Sequence, residues 1–247
     1  FPFLPLFLPF PFLPFLPSAQ VKVCFLGASD TGKSSIVKRF VSNTFSTYEM
    51  AATVGADVQI CRVDGIVLDV FDTSGAERYA AIASCYFRHA EVIVLVYDVM
   101  EPETFQGQRA MMNASTPFSA EAWIAKVKND EIVDYDNVQI IVVANKTDLE
   151  CEIDSQVTYP RLVSTEEGKD FARSLGPNAC YIETSAKYGD GVQELFNIVA
   201  KRSLQNYSLE SYLAEKEDVD LVEKRKSSAV DLTQPKCSIG QSTSSCC

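Results

Sequence analysis

Apolar residues in this chain gather into short dense runs separated by longer amphipathic stretches. Gln20–Leu26, Val92–Tyr97 and Val138–Ala144 are such runs, each bounded by turn residues. Runs of this length suit strands buried on both faces of a parallel sheet, where neither face calls for polar side chains. Asp57–Val63 and Ile66–Phe71 are joined by Asp64-Gly65. That pair tolerates positive φ at both central positions of a type I′ turn, so the two runs read as a hairpin. A further strand is predicted over Cys180–Glu183. Helical spacing is found near 33–42, 78–89, 119–131, 164–174 and 190–204. Ser164 with Glu167 makes a capping box that opens the fourth of these helices. The alternation predicts an α/β domain over residues 18–204. Its sheet is doubly wound and mostly parallel, with ligands expected at the carboxyl ends of the strands. Gln106–Phe118 and Glu150–Leu162 read as enlarged loops without a motif.

Two segments break the pattern. Residues 1–17 contain only Phe, Leu and Pro, with prolines at 2, 5, 9, 11, 14 and 17. Prolines at that density remove helix donors and clash with preceding turns, which bars a membrane-spanning helix. The basic region and cleavage box of a signal peptide, and a starting Met, are missing too. The tract is expected to be a low-complexity extension outside the fold, disordered or read through from upstream sequence. The alternative is an extended hydrophobic arm for a membrane or partner. After about Leu204 serine becomes abundant and apolar periodicity fades. Residues 205–247 are expected to form a flexible tail rather than a second domain.

Composition narrows the function classes. The 247 residues carry 22 Lys and Arg against 33 Asp and Glu, a net charge of −11. Residues 18–200 hold 15 basic and 26 acidic side chains, which accounts for all of it. Such a balance argues against nucleic acid as the main partner, because neutralising phosphates needs a basic footprint. The eight cysteines include no C-x-x-C pair, and His89 is the one histidine, so a Cys/His zinc site is not expected. A reducing, cytosolic setting fits best.

Four motifs then converge on one ligand. Gly27-Ala-Ser29-Asp30-Thr31-Gly32-Lys33-Ser34 follows a predicted strand and opens a helix. The glycines let backbone N–H groups wrap phosphate oxygens, Lys33 reaches the β- and γ-phosphates, and Ser34 offers a hydroxyl to Mg²⁺. Ser35, the next residue of that helix, is expected to join the nucleotide-binding set. Asn145-Lys146-Thr147-Asp148 ends another strand and selects the base. A carboxylate at Asp148 accepts from the N1–H and exocyclic amine of guanine together. Adenine offers neither, leaving the acid unpaired at a cost of about 1–3 kcal/mol. Ser185-Ala186-Lys187 offers a backbone N–H to the guanine carbonyl oxygen. Asp72-Thr-Ser-Gly75 places an acid that can hold Mg²⁺ through water and a glycine whose N–H can approach the γ-phosphate. Thr53 adds a hydroxyl to the same metal. One guanine nucleotide, GTP or GDP, with Mg²⁺ satisfies them all.

The order of these motifs resembles that of the small Ras-type GTPases, and several stretches resemble the Rab branch. They are Gly32–Phe40, Thr53-Val-Gly55, Ser84–Ala90, Val96-Tyr-Asp98 and Glu183–Lys187. The adjacent Cys246 and Cys247 are similar to a doubly prenylated Rab end, without a C-a-a-X box. Ser34-Ser35, the Thr-Val-Gly-Ala stretch and Val230–Thr233 resemble the early-endosomal group. The resemblance implies an enzyme hydrolysing GTP to GDP and phosphate, and a monomeric switch of vesicle traffic. Its partners would be an exchange factor, a GAP, Rab escort protein and GDI, and effectors. It would reside, lipid-anchored, on the cytoplasmic face of intracellular membranes, with a cytosolic pool. Phe45 would pack on the guanine, and residues 46–55 and 72–86 would be switches ordered by the γ-phosphate. Phe71, Tyr86 and Thr53–Ala56 would form much of the effector face, although core packing also accounts for Phe71 and Tyr86.

Three departures from the family pattern bear on function. Ala76 stands where the family has the Gln that orients the attacking water, and alanine cannot hydrogen-bond it. Asp30 puts a carboxylate in the phosphate loop where a small neutral residue is usual. The stretch between Phe45 and Thr53 is about one residue longer than is usual in the family. Three functions follow: a cycling switch with slow hydrolysis, a GTP-locked binding module, or a P-loop ATPase or nucleotide kinase. Asn145–Asp148 and the lack of an arginine-rich, lid-like segment oppose the last.

Overall fold

The computed structural model describes residues 20–46, 52–75, 80–106, 119–150 and 160–203, apart from the side chains of 80–83 and 150. Ala76, Cys246 and Cys247, the 1–17 tract, the 205–247 tail and parts of both switch stretches lie outside these residues.

Six strands form one sheet: β1 (Gln20–Leu26), β2 (Ala56–Val63), β3 (Ile66–Thr73), β4 (Val92–Asp98), β5 (Gln139–Asn145) and β6 (Ala179–Thr184). Their spatial order is β2-β3-β1-β4-β5-β6. All neighbours pair in parallel except β2 and β3, which are antiparallel with Val63 opposite Ile66. At the hairpin tip Asp64 has φ 49° and Gly65 φ 86°, the two positive values that a type I′ turn requires. Every residue of β4 and β5 is buried. Central parallel strands are covered on both faces, which is why their sequences are nearly all apolar.

The helices are α1 (Lys33–Ser42), α2 (Ala80–Phe87), α3 (Pro102–Gln106), α4 (Ala120–Lys128), α5 (Thr165–Ser174) and α6 (Val192–Ser203). Cys24 and Leu26 of β1 join a core with Phe87, Phe105, Trp123, Val127 and Ala172 from α2 to α5. Phe25, on the opposite face, stacks on Phe196 of α6 at 6.0 Å between centroids, and Phe40 of α1 stacks on the same ring at 3.7 Å. Helices therefore cover both faces, and each buried aliphatic side chain stabilises this layering by about 1.5–3 kcal/mol.

Two short elements were not expected from periodicity. α3 has only five residues, too few to show a helical repeat. It starts on Pro102, a favourable first helical position, and seats Phe105 against Tyr97 at 4.6 Å and Phe171 at 5.2 Å. Thr147–Glu150 forms a 3₁₀ turn within the stretch that carries the base-selecting motif. The predicted helix 119–131 ends at Lys128, where the Asn129 N–H donates to Ala125 O and closes the last turn. Ser164 and Glu167 form the expected capping box.

Candidate functional site

The sheet order reverses around β1, and the loops that leave β1, β3, β5 and β6 at their carboxyl ends surround a cavity of about 720 Å³. A doubly wound sheet creates such a crevice where successive connections run to opposite sides. Ser29, Asp30, Gly32, Lys33, Ser34 and Ser35 line it from the phosphate loop and α1. Phe45, Thr53 and Gly75 line a second side, and Asn145, Lys146, Asp148, Ala186 and Lys187 a third. Thr31 and Ser185 are buried and are not part of the lining; their contacts support residues that are.

Lys33 begins α1. Its Nζ donates to Gly27 O at 2.9 Å and Ala28 O at 2.7 Å. Burial lowers its pKa to about 8, against the opposing pull of Asp72 and Asp30. A buried ammonium in that position favours an incoming anion, since a desolvated cation is costly until it is paired. Gly32 has φ 91°, and a Cβ there would lie 2.3 Å from Asn145 Nδ2, so only glycine fits. Asn145 joins three loops. Its Nδ2 donates to Thr31 O at 2.8 Å, and its Oδ1 accepts from Thr184 Oγ1 at 3.0 Å and Ala186 N at 3.3 Å. Thr31 Oγ1 in turn donates to Ala28 O at 3.0 Å. Asp30 is exposed and sits in the left-handed region at φ 61°, a conformation that Asp tolerates better than most residues.

Asp148 Oδ1 accepts from Ser185 Oγ at 2.7 Å, which fixes the carboxylate at the cavity wall. Lys146, at φ 67°, pairs through Nζ with Asp98 Oδ2 at 2.6 Å. Asp98 Oδ1 also accepts from Met100 N at 2.8 Å. The sequence places Asp98 in the Val96-Tyr-Asp98 stretch of the resemblance but assigns it no role at the site. The signal was present, an acid closing the fully buried run of β4.

The proposed metal ligands come together. Ser34 Oγ and Thr53 Oγ1 lie 3.0 Å apart, and the Ser34 hydroxyl hydrogen-bonds to Asp72. Burial raises the Asp72 pKa, and its Oδ1 is buried with no hydrogen-bond partner among the described residues. A buried orphan carboxylate oxygen beside two hydroxyls is a hard oxygen set that fits Mg²⁺. Gly75 packs directly on the phosphate loop, because a Cβ there would lie 2.3 Å from Ser29 N. Ser74 N donates to Gly55 O at 2.8 Å, tying the end of β3 to the segment that carries Thr53.

Phe45 stands at the cavity rim, 38% exposed, with the Arg39 guanidinium 5.9 Å from its ring centroid. Arg39 is a second residue that the sequence reading did not assign. Phe71 and Tyr86 lie 6.2 Å apart, half-buried against the core, with the exposed Val58 opposite Phe71 in the β2–β3 pair. Half-burial against the core bears out packing for Phe71 and Tyr86.

Comparison with known proteins agrees with this geometry. The sequence profile of the Ras family matches residues 22–205. The chain is 33% identical over 207 residues to the GTP-binding protein YPT52 of Saccharomyces cerevisiae, covering 74% of this chain and 81% of that protein. It is 34% identical over 188 residues to the Ras-related protein Rab-17 of Homo sapiens, covering 74% and 76%. The Ras-related protein SEC4 of Saccharomyces cerevisiae is 32% identical over 185 residues, covering 73% and 74%. With the phosphate loop, the base-selecting strand end and the metal hydroxyls around one cavity, the chain belongs to the Rab branch of the Ras family of small GTPases.

Proposed function

We propose that this protein is a GTP/GDP switch of endosomal vesicle traffic whose intrinsic hydrolysis is slow. The observation that carries the reading is the meeting of Lys33, Asp148, Ser34 and Thr53 around one cavity, with the buried Asp72 coupled to Ser34 and Lys33 behind its wall. Asp148 accepts from the guanine edge, while Lys33 and the loop N–H groups hold the phosphates. Ser34 and Thr53 would hold Mg²⁺ directly and Asp72 through water, and the ion would supply positive charge to offset that of the phosphates. Phe71, Tyr86 and the exposed Val54 and Val58 supply a face for effectors.

The slow hydrolysis rests on Ala76, which offers no group to orient water. The same residue supports a second reading, a module that holds GTP nearly permanently. Single-turnover hydrolysis with and without a GAP separates the two, because GAP-stimulated release of phosphate belongs only to the cycling switch. GDP recovered with the purified protein would favour cycling, and GTP the locked module. Equal affinity for ATP and GTP would overturn the guanine assignment.

Membrane attachment is proposed through geranylgeranyl groups on Cys246 and Cys247. One lipid chain gives marginal, reversible binding, and a second makes anchoring stable. Mass spectrometry of the peptide containing both cysteines, taken from the membrane fraction of expressing cells, is expected to show two added lipids. Unmodified thiols there would remove the anchor assignment.

A further inference from the structure

Arg39, in the last turn of α1, makes contacts that α1 itself does not require. Its Nε donates to Ala186 O at 2.8 Å, and its Nη2 donates to Lys187 O. Its Nη1 donates to Asn43 O at 3.1 Å and Asn43 Oδ1 at 3.2 Å. The guanidinium also lies over the ring of Phe45. One side chain thus grips two successive carbonyls in the loop after β6 and backs the rim aromatic. The two carbonyl bonds span 147 and 148 positions of sequence, so they form only in the folded domain. The neighbouring Phe40, stacked on Phe196, anchors the helix end from which Arg39 reaches.

The peptide bond explains what this grip does. In a trans peptide the C=O and N–H point in opposite directions. Ala186 and Lys187 line the cavity and Arg39 does not. Holding the Ala186 carbonyl outward therefore turns the Lys187 N–H toward the cavity. The next peptide repeats the pattern. Arg39 holds the Lys187 carbonyl, and the Tyr188 N–H on the other side donates to Ser185 Oγ at 3.2 Å. Ser185 Oγ is the hydroxyl that fixes Asp148.

We propose that Arg39 is a positioning residue for guanine recognition: by clamping the Ala186 and Lys187 carbonyls it aims the Lys187 N–H at the base and steadies the Ser185–Asp148 pair. This rests on the guanine-nucleotide reading above. The planar fork suits this role, because separate nitrogens at fixed angles engage Ala186 O, Lys187 O and Asn43 together. A lysine ammonium, able to meet two carbonyls as Lys33 does, rotates freely and imposes no such geometry.

The test compares GDP with 6-thioguanosine diphosphate, which keeps the N1–H and the 2-amino group but replaces the carbonyl oxygen by a weaker acceptor. Binding is measured for wild type, Arg39→Gln and Arg39→Lys, with ADP as a further ligand for wild type. Wild type is expected to prefer GDP over its thio analogue. Arg39→Gln is expected to weaken GDP about tenfold, roughly the contribution of one or two well-placed hydrogen bonds, and to weaken the analogue less. The preference ratio then falls toward one. Arg39→Lys keeps a cation at the end of α1 and is expected to lose most of the preference too. Equal weakening of both nucleotides, or full preference in Arg39→Lys, would overturn the proposal and leave Arg39 a helix-end charge. A wild type that fails to prefer GDP over ADP would instead overturn the guanine reading itself.

Discussion

Lys33 shows at the scale of one residue how this domain is prepared for an anion. The ammonium is buried, bonded to two carbonyls, and its pKa falls to about 8 from an ordinary 10.5 because burial disfavours the charge. A lysine with a lowered folded pKa binds fewer protons in the native state than in the unfolded one. Its contribution therefore becomes more favourable as pH rises from about 8 to about 10.5. For the nucleotide-free protein, the Tm of wild type relative to Lys33→Met is expected to rise over that interval. Added GDP should flatten the trend, since phosphate charge favours the ammonium. At the opposite end of the cavity, Asp148→Asn replaces a double acceptor with an amide. Competition binding is expected to show a shift of at least tenfold toward xanthosine diphosphate relative to GDP, about the value of one buried charged hydrogen bond. An unchanged preference would mean that Asp148 does not read the base.

At the scale of the element, α5 shows local sequence acting alone. Ser164 Oγ accepts from Glu167 N at 3.2 Å, and Glu167 Oε2 accepts from Ser164 N at 2.8 Å. Ser164→Ala removes the cap and is expected to cost about 1 kcal/mol, read as a lower midpoint in urea with an unchanged slope. The hydrogen bonds from Ser164 lower the Glu167 pKa. Its contribution is therefore present above the ordinary glutamate range and is lost as pH falls through the lowered value. The Ser164→Ala difference should shrink in acid. β4 and β5 behave in the opposite way, because their identity depends on neighbours that bury both faces.

For the whole molecule, the consequential question is the rate at which the switch resets. Ala76→Gln restores an amide able to orient water and is expected to raise intrinsic single-turnover hydrolysis at least tenfold, a modest part of what positioning contributes in this chemistry. An unchanged rate would place the limitation elsewhere, with Asp30 in the phosphate loop the next residue to vary. The strands, most helices and most residues lining the cavity were legible from the chain alone; Leu149 of the lining was not, and Thr31, Asp72 and Ser185 stand behind it. The Asp64-Gly65 turn and the glycine-rich loop act through neighbours a few positions away, while the dense apolar runs mark in advance the strands that packing buries on both faces. α3 was not legible, because five residues cannot display a repeat and its support comes from Tyr97 and Phe171.

The amino-acid sequence by itself determined the α/β alternation, the hairpin, the capping box and the set of side chains suited to guanine, phosphate and magnesium. These follow from backbone preferences and from chemistry carried within single motifs. Only the tertiary structure decided how the motifs serve one another. Asn145 bonds to Thr31 across 114 positions, and Arg39 bonds to Ala186 across 147. Tertiary packing likewise brought the Ser34 hydroxyl to Thr53 and to Asp72, whose Oδ1 has no hydrogen-bond partner among the described residues. Such contacts leave no local trace, because a hydrogen bond between distant loops forms only after the sheet and its helices have fixed both ends in space.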